Sequence, residues 1–114
     1  MKKKLFLLMF VFLTFSQSNL FSQKIHTVKY ESQADVKVYV VDYESQCDLK
    51  VYKVDYESQA SGNEGKWYFV ENESQADKTI CFVDYESQAD LKIYFVEYES
   101  QAGWKNSSKR HLIY

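Results

Sequence analysis

The chain has 114 residues, no proline and three glycines, but ten tyrosines, eight phenylalanines and two tryptophans. Charged residues at 26% and apolar residues at 46% are near globular averages, which excludes whole-chain disorder, and the shortage of proline and glycine excludes collagen-like and linker-like readings. The length allows one domain, which must turn without the usual turn residues.

Residues 1–22 read as a signal peptide. Met1 to Lys4 is basic, and the apolar run Leu5–Phe15 is 11 residues long, short of the roughly 20 that a membrane-spanning helix needs. Cleavage is expected after Ser22, with Ser16 as the alternative. The remaining domain, 23–114, carries 11 basic and 16 acidic residues, a balance of −5 that gives no general attraction to nucleic acid. No second hydrophobic span follows. The expected product is exported, periplasmic or extracellular, without a membrane span. That compartment permits disulfides, and Cys47 and Cys81 allow one bridge; separate burial of the two is the simpler reading.

The domain is a repeat. Glu-Ser-Gln begins at Glu31, Glu44, Glu57, Glu73, Glu86 and Glu99, at spacings of 13, 13, 16, 13 and 13. The array divides into two blocks of three units, 24–61 and 65–103, joined by the insertion around Gly62, with a closing segment at 104–114. Three residues before each Glu stands Val. Six before it stands a large apolar residue, from Ile25 to Ile93. Seven before it is Lys in five units, two before it an acid in five, and directly before it Tyr in five, with Asn72 in the fourth unit.

The run before each Glu is rich in Val, Ile, Tyr and Phe and predicts a strand of seven or eight residues, partly covered on both faces. Glu-Ser-Gln-Ala-Asp predicts one tight helical or 3-10 turn, held by Ser and Asp side chains bonding local backbone. His111 to Tyr114 reads as a seventh strand. Five-residue connections suit antiparallel neighbours, so these residues predict a mainly β, seven-stranded antiparallel barrel or sandwich, with a flat solenoid as the alternative.

The V-x-Y-E-S-Q units, the central G-N-E-G-K-W-Y segment and the closing A-G-W-K-N-S-S-K resemble the Septknot family of small bacterial proteins, over roughly Ile25 to Tyr114. The resemblance implies a deeply knotted backbone with seven crossings, in which successive strands need not be neighbours. It implies no activity, cofactor or site residue.

The acid pairs Asp42/Glu44, Asp55/Glu57, Glu71/Glu73, Asp84/Glu86 and Glu97/Glu99 could serve a hard cation such as Ca²⁺. The plainer expectation is that these acids satisfy turn backbone and pair with the lysine rank. Histidine is limited to His26 and His111, and no G-x-S-x-G, H-E-x-x-H or phosphate loop is present. The sequence therefore assigns no catalytic, cofactor or metal residues. The tyrosine ranks could stack on a glycan or peptide, though strand tyrosines more often pack. Lys105, Lys109, Arg110 and His111 read as a solvated basic end. The expected function is a stable, non-enzymatic structural or binding module of the bacterial envelope or exterior, with a protein or glycan partner. The alternative is a metal-binding or small hydrolytic enzyme using the acid pairs.

Overall fold

The computed structural model describes residues 23–113; the expected signal peptide and Tyr114 lie outside the described residues. Seven strands alternate with 3-10 turns: β1 Lys24–Thr27, β2 Val36–Val40, β3 Leu49–Lys53, β4 Lys66–Phe69, β5 Lys78–Phe82, β6 Leu91–Phe95 and β7 Gly103–Trp104. Every Glu-Ser-Gln forms a 3-10 turn, and the last element is a longer 3-10 segment, Ser107–Leu112. The repeat and the strand count are therefore those read from the sequence. The strands are shorter than expected, and the seventh is Gly103–Trp104; His111 and Leu112 belong to the closing 3-10 segment.

The antiparallel expectation is overturned. β1 to β6 are all parallel and close into a barrel in the order β4-β1-β5-β2-β6-β3, with β3 returning to β4. Only β7 runs antiparallel, against β3. Each barrel strand of the first block pairs with barrel strands of the second block alone, so the two blocks interleave.

The register explains how short turns make parallel crossovers. Each strand is staggered by two residues against its neighbour. Thr27, the last residue of β1, and Val36, the first of β2, both pair with Ile80 of β5. Val40 and Leu49 likewise both pair with Ile93. A connection then has to straddle only one strand, about 10 Å at ordinary strand spacing, and eight residues, 41–48, reach from β2 to β3. The straddled residue also anchors the connection. Val28 N donates to Ile80 O at 2.8 Å, and Val41, Val70 and Val83 repeat the bond to Ile93, Ile25 and Val38 at 2.9 Å.

A two-residue stagger keeps the same side chains facing inward, because strand side chains alternate with period two. The residues six before each Glu form the central layer: Ile25, Val38, Val51, Trp67, Ile80 and Ile93 are all fully buried. Val36, Leu49 and Leu91 form the next layer, and Ile113, with Leu112 and Trp104, packs onto the same core. At the opposite end Phe69 and Phe95 are only partly buried, and Lys53 Nζ lies 5.2 and 5.0 Å from their ring centroids.

Each 3-10 turn is closed by backbone bonds. The Gln N–H donates to the carbonyl of the residue before Glu, and the following residue's N–H donates to the Glu carbonyl, at 3.0–3.2 Å throughout. The expected local side-chain caps do not form. No serine of these turns makes a described capping bond, and only Gln59 and Gln101 accept from backbone N–H at their own turns.

The Asp that ends the motif works at long range. Asp77, Asp90, Asp35 and Asp48 accept from the backbone N–H of Lys24, Lys37, Thr79 and Lys92 at 2.9–3.1 Å. Their own N–H groups donate back to the carbonyls of the same four residues. Each carboxylate thereby clamps a turn to a strand of the other block.

The insertion and tail close the base. Gly65 adopts φ +84°, and a side chain there would collide with the Lys50 carbonyl. Trp104 Nε1 donates to Asn63 O at 2.9 Å, and Asn63 Nδ2 donates to Arg110 O at 3.1 Å.

Candidate functional site

The repeat positions fall into those that build the barrel and those that face outward. Four of the lysines seven before a Glu form ion pairs around the barrel: Lys24–Glu57 at 3.1 Å, Lys92–Glu86 at 3.3 Å, Lys66–Glu99 at 3.4 Å and Lys50–Glu44 at 3.6 Å. Each joins a strand to the turn of the unit two places back around the ring. Tyr39, Tyr52, Tyr68 and Tyr94, five before each Glu, are half-buried. The tyrosines directly before Glu are different. Tyr30, Tyr43, Tyr56, Tyr85 and Tyr98 are 58–69% exposed, although they are large and partly apolar.

The outer surface is consequently corrugated, with turns as ridges. Grooves lie between the strand end of one unit and the Glu of the unit before it on the ring. Three equivalent grooves stand out among the described residues. One, of about 310 Å³, holds Tyr94, Tyr98 and Gln101 opposite Glu44. The two larger ones lie on either side of the Glu73–Gln75 turn. The first, of about 490 Å³, runs between Asn72 and Gln75 on one side and the Lys24–Glu57 pair on the other, with Tyr68 and Phe69 among its lining residues. The second, of about 470 Å³, lies between Glu73 and Gln33 and includes His26, Thr27 and Lys29. His26 Nδ1 is 3.0 Å from Val70 O, which joins the linings of the two grooves. Sequence reading marked Asn72 only as a departure from the tyrosine rank. That break was the available signal, because Asn is smaller than the tyrosine it replaces on this ridge.

The other singled-out residues have structural surroundings. Cys47 and Cys81 are free and both buried, and burial pushes the Cys47 thiol above its ordinary pKa. The basic cluster is partly engaged: Lys109 pairs with the buried Asp48 at 3.3 Å, Arg110 with Glu64 at 3.3 Å, and His111 Nδ1 lies 3.0 Å from Ser108 O. The Glu members of four acid pairs, Glu44, Glu57, Glu86 and Glu99, are ion-paired. Among the described residues, no group of three or more His, Cys, Asp or Glu is placed to hold a metal ion, and no helix is long and apolar enough to cross a membrane.

The family model described as the 7(1) septoil knot domain matches residues 22–105. The chain belongs to the septoil-knot family. The interleaved winding of its two blocks accords with that description, and all six Glu-Ser-Gln units lie inside the match. No curated protein matches the chain. In this septoil-knot domain the corrugated exterior is the surface on which function has to be sought, because the interior is filled by side chains.

Proposed function

We propose that the chain is an exported, non-enzymatic binding module that uses the corrugated outside of a rigid barrel. The tyrosine rank carries this reading. The exposed Glu-Ser-Gln is constant because it builds the 3-10 turn, whereas the exposed strand end four before each Glu varies, as Thr27, Val40, Lys53 and Phe82 show. Yet Tyr recurs five times at a position that is about two-thirds exposed and contributes no side chain to the core. Exposed aromatic residues in a regular array suit recognition better than stability. The basic n-region and short apolar run at residues 1–22 support export.

The test is affinity capture from envelope and medium fractions with tagged 23–114, in parallel with a variant carrying Tyr43→Ser, Tyr56→Ser, Tyr85→Ser and Tyr98→Ser. The expected result is a specific ligand lost from the variant, with the melting temperature little changed. Equal recovery by both proteins, or no specific recovery by either, would contradict the reading.

A further inference from the structure

We infer that the paired grooves on either side of the Glu73–Gln75 turn form a binding site for a neutral polysaccharide chain. This rests on the binding-module reading above and names its ligand class.

The geometry comes first. Around the ring, the Glu57–Gln59, Glu73–Gln75 and Glu31–Gln33 turns are three successive ridges, with one large groove in each interval. The outer two ridges carry exposed Tyr56 and Tyr30. The middle ridge carries Asn72, so it is low where its neighbours are high. An extended ligand can cross it from one groove to the other. An equivalent groove beside a ridge that retains its tyrosine, Tyr98, is smaller by about a third.

The chemistry selects the ligand. Asn72, Gln75 and Gln33 each offer both donors and acceptors. His26 Nδ1 faces the Val70 carbonyl oxygen, which can only accept, so this nitrogen carries a proton and Nε2 is left free for a ligand hydroxyl. Glu57, Glu71 and Glu73 are nearly balanced by Lys24 and Lys29, which leaves little net field to attract a polyanion or a polycation. Tyr68 and Phe69 add partly buried aromatic surface. Many bidirectional hydrogen-bonding groups, aromatic faces and little net charge fit a polyhydroxylated chain. A peptide would favour either an apolar pocket or a free strand edge, and β1 and β4 are each hydrogen-bonded on both sides within the closed barrel. A chain that spans both grooves gains from effective concentration, so polymers should bind more tightly than their single sugars.

Two substitutions test the site without challenging the fold, because each restores the residue that other units carry. Asn72→Tyr raises the low ridge to match the other five turns. His26→Tyr matches Tyr39, Tyr52, Tyr68 and Tyr94. Binding is measured by affinity electrophoresis and calorimetry against dextran, amylose, laminarin, mannan and galactan, with chitosan and heparin as charged comparators. The expected result is that wild-type protein binds at least one neutral polymer, and that N72Y and H26Y bind it about tenfold more weakly or worse, with melting temperatures at or above the wild-type value. Failure of every neutral polymer, binding to chitosan or heparin alone, or wild-type affinity in both variants would overturn the inference. If no polysaccharide binds while the tyrosine-dependent capture succeeds, the ligand class falls and the binding reading stands.

Discussion

Asp48 shows how much one repeated side chain can carry. It is the most buried of the four clamp carboxylates. It accepts from Lys92 N–H at 2.9 Å, from Lys109 Nζ at 3.3 Å and from Asn106 Nδ2 at 3.4 Å, while its carbonyl accepts from the N–H groups of Lys105 and Asn106. Asp77 makes the same clamp to Lys24 N–H at 2.9 Å but stays exposed. Removing a buried charged partner leaves other groups unpaired, whereas water replaces an exposed one. Asp48→Ala should therefore cost about 3 kcal/mol and Asp77→Ala about 1 kcal/mol, as read by urea denaturation. Equal losses would show that burial does not distinguish the two clamps. From sequence, the Asp of the motif reads as a local turn residue. Its true partner lies 44 or 53 positions away, and no local pattern contains that information.

The same contrast between local and distant information holds for whole elements. The repeat, the turns and the places of the first six strands were legible, though not the strand lengths, because β-branched and aromatic runs, Glu-Ser-Gln and the 13-residue spacing are all local signals. Strand direction was not. A five-residue turn between strands ordinarily means an antiparallel hairpin. Here the connection is longer than the motif, because each strand ends four residues before Glu, and the stagger brings the end of one strand level with the start of the next. The tail was misread for a related reason: His111 to Ile113 is apolar enough for a strand, but the closing 3-10 segment seats Ile113 against the core. The candidate grooves were half legible. The exposed tyrosines and Asn72 stood out in the repeat, while the pairing of His26 with Val70 depends on β1 lying beside β4. Deleting residues 104–114 should uncover the layer of Val36, Leu49 and Leu91. At about 1.5–3 kcal/mol for the fully buried Ile113 and less for each of the partly buried Trp104 and Leu112, the expected loss is about 3 kcal/mol. A lower thermal midpoint and new dye binding to apolar surface would show it; an unchanged midpoint would mean that the tail is not the closure.

At the scale of the molecule, the repeat is not a chain of nearest-neighbour modules. A solenoid stacks each unit on the next in sequence. In this barrel β1 pairs with β4 and β5, β2 with β5 and β6, and β3 with β6 and β4. The first block therefore supplies none of its own strand pairing, and the second pairs only with the first. Such long-range contacts should make folding slow. They also make the exterior regular, since one turn geometry is repeated around a closed ring and a single departure at Asn72 becomes a distinct place on it. The measurement that bears most directly on this account is the circular dichroism and amide NMR of residues 23–62 and 63–114 produced separately, beside the intact domain. Interleaving predicts that each half alone is unfolded, with collapsed amide dispersion, while the intact chain is dispersed and cooperative. A half that folds by itself with native-like dispersion would contradict it.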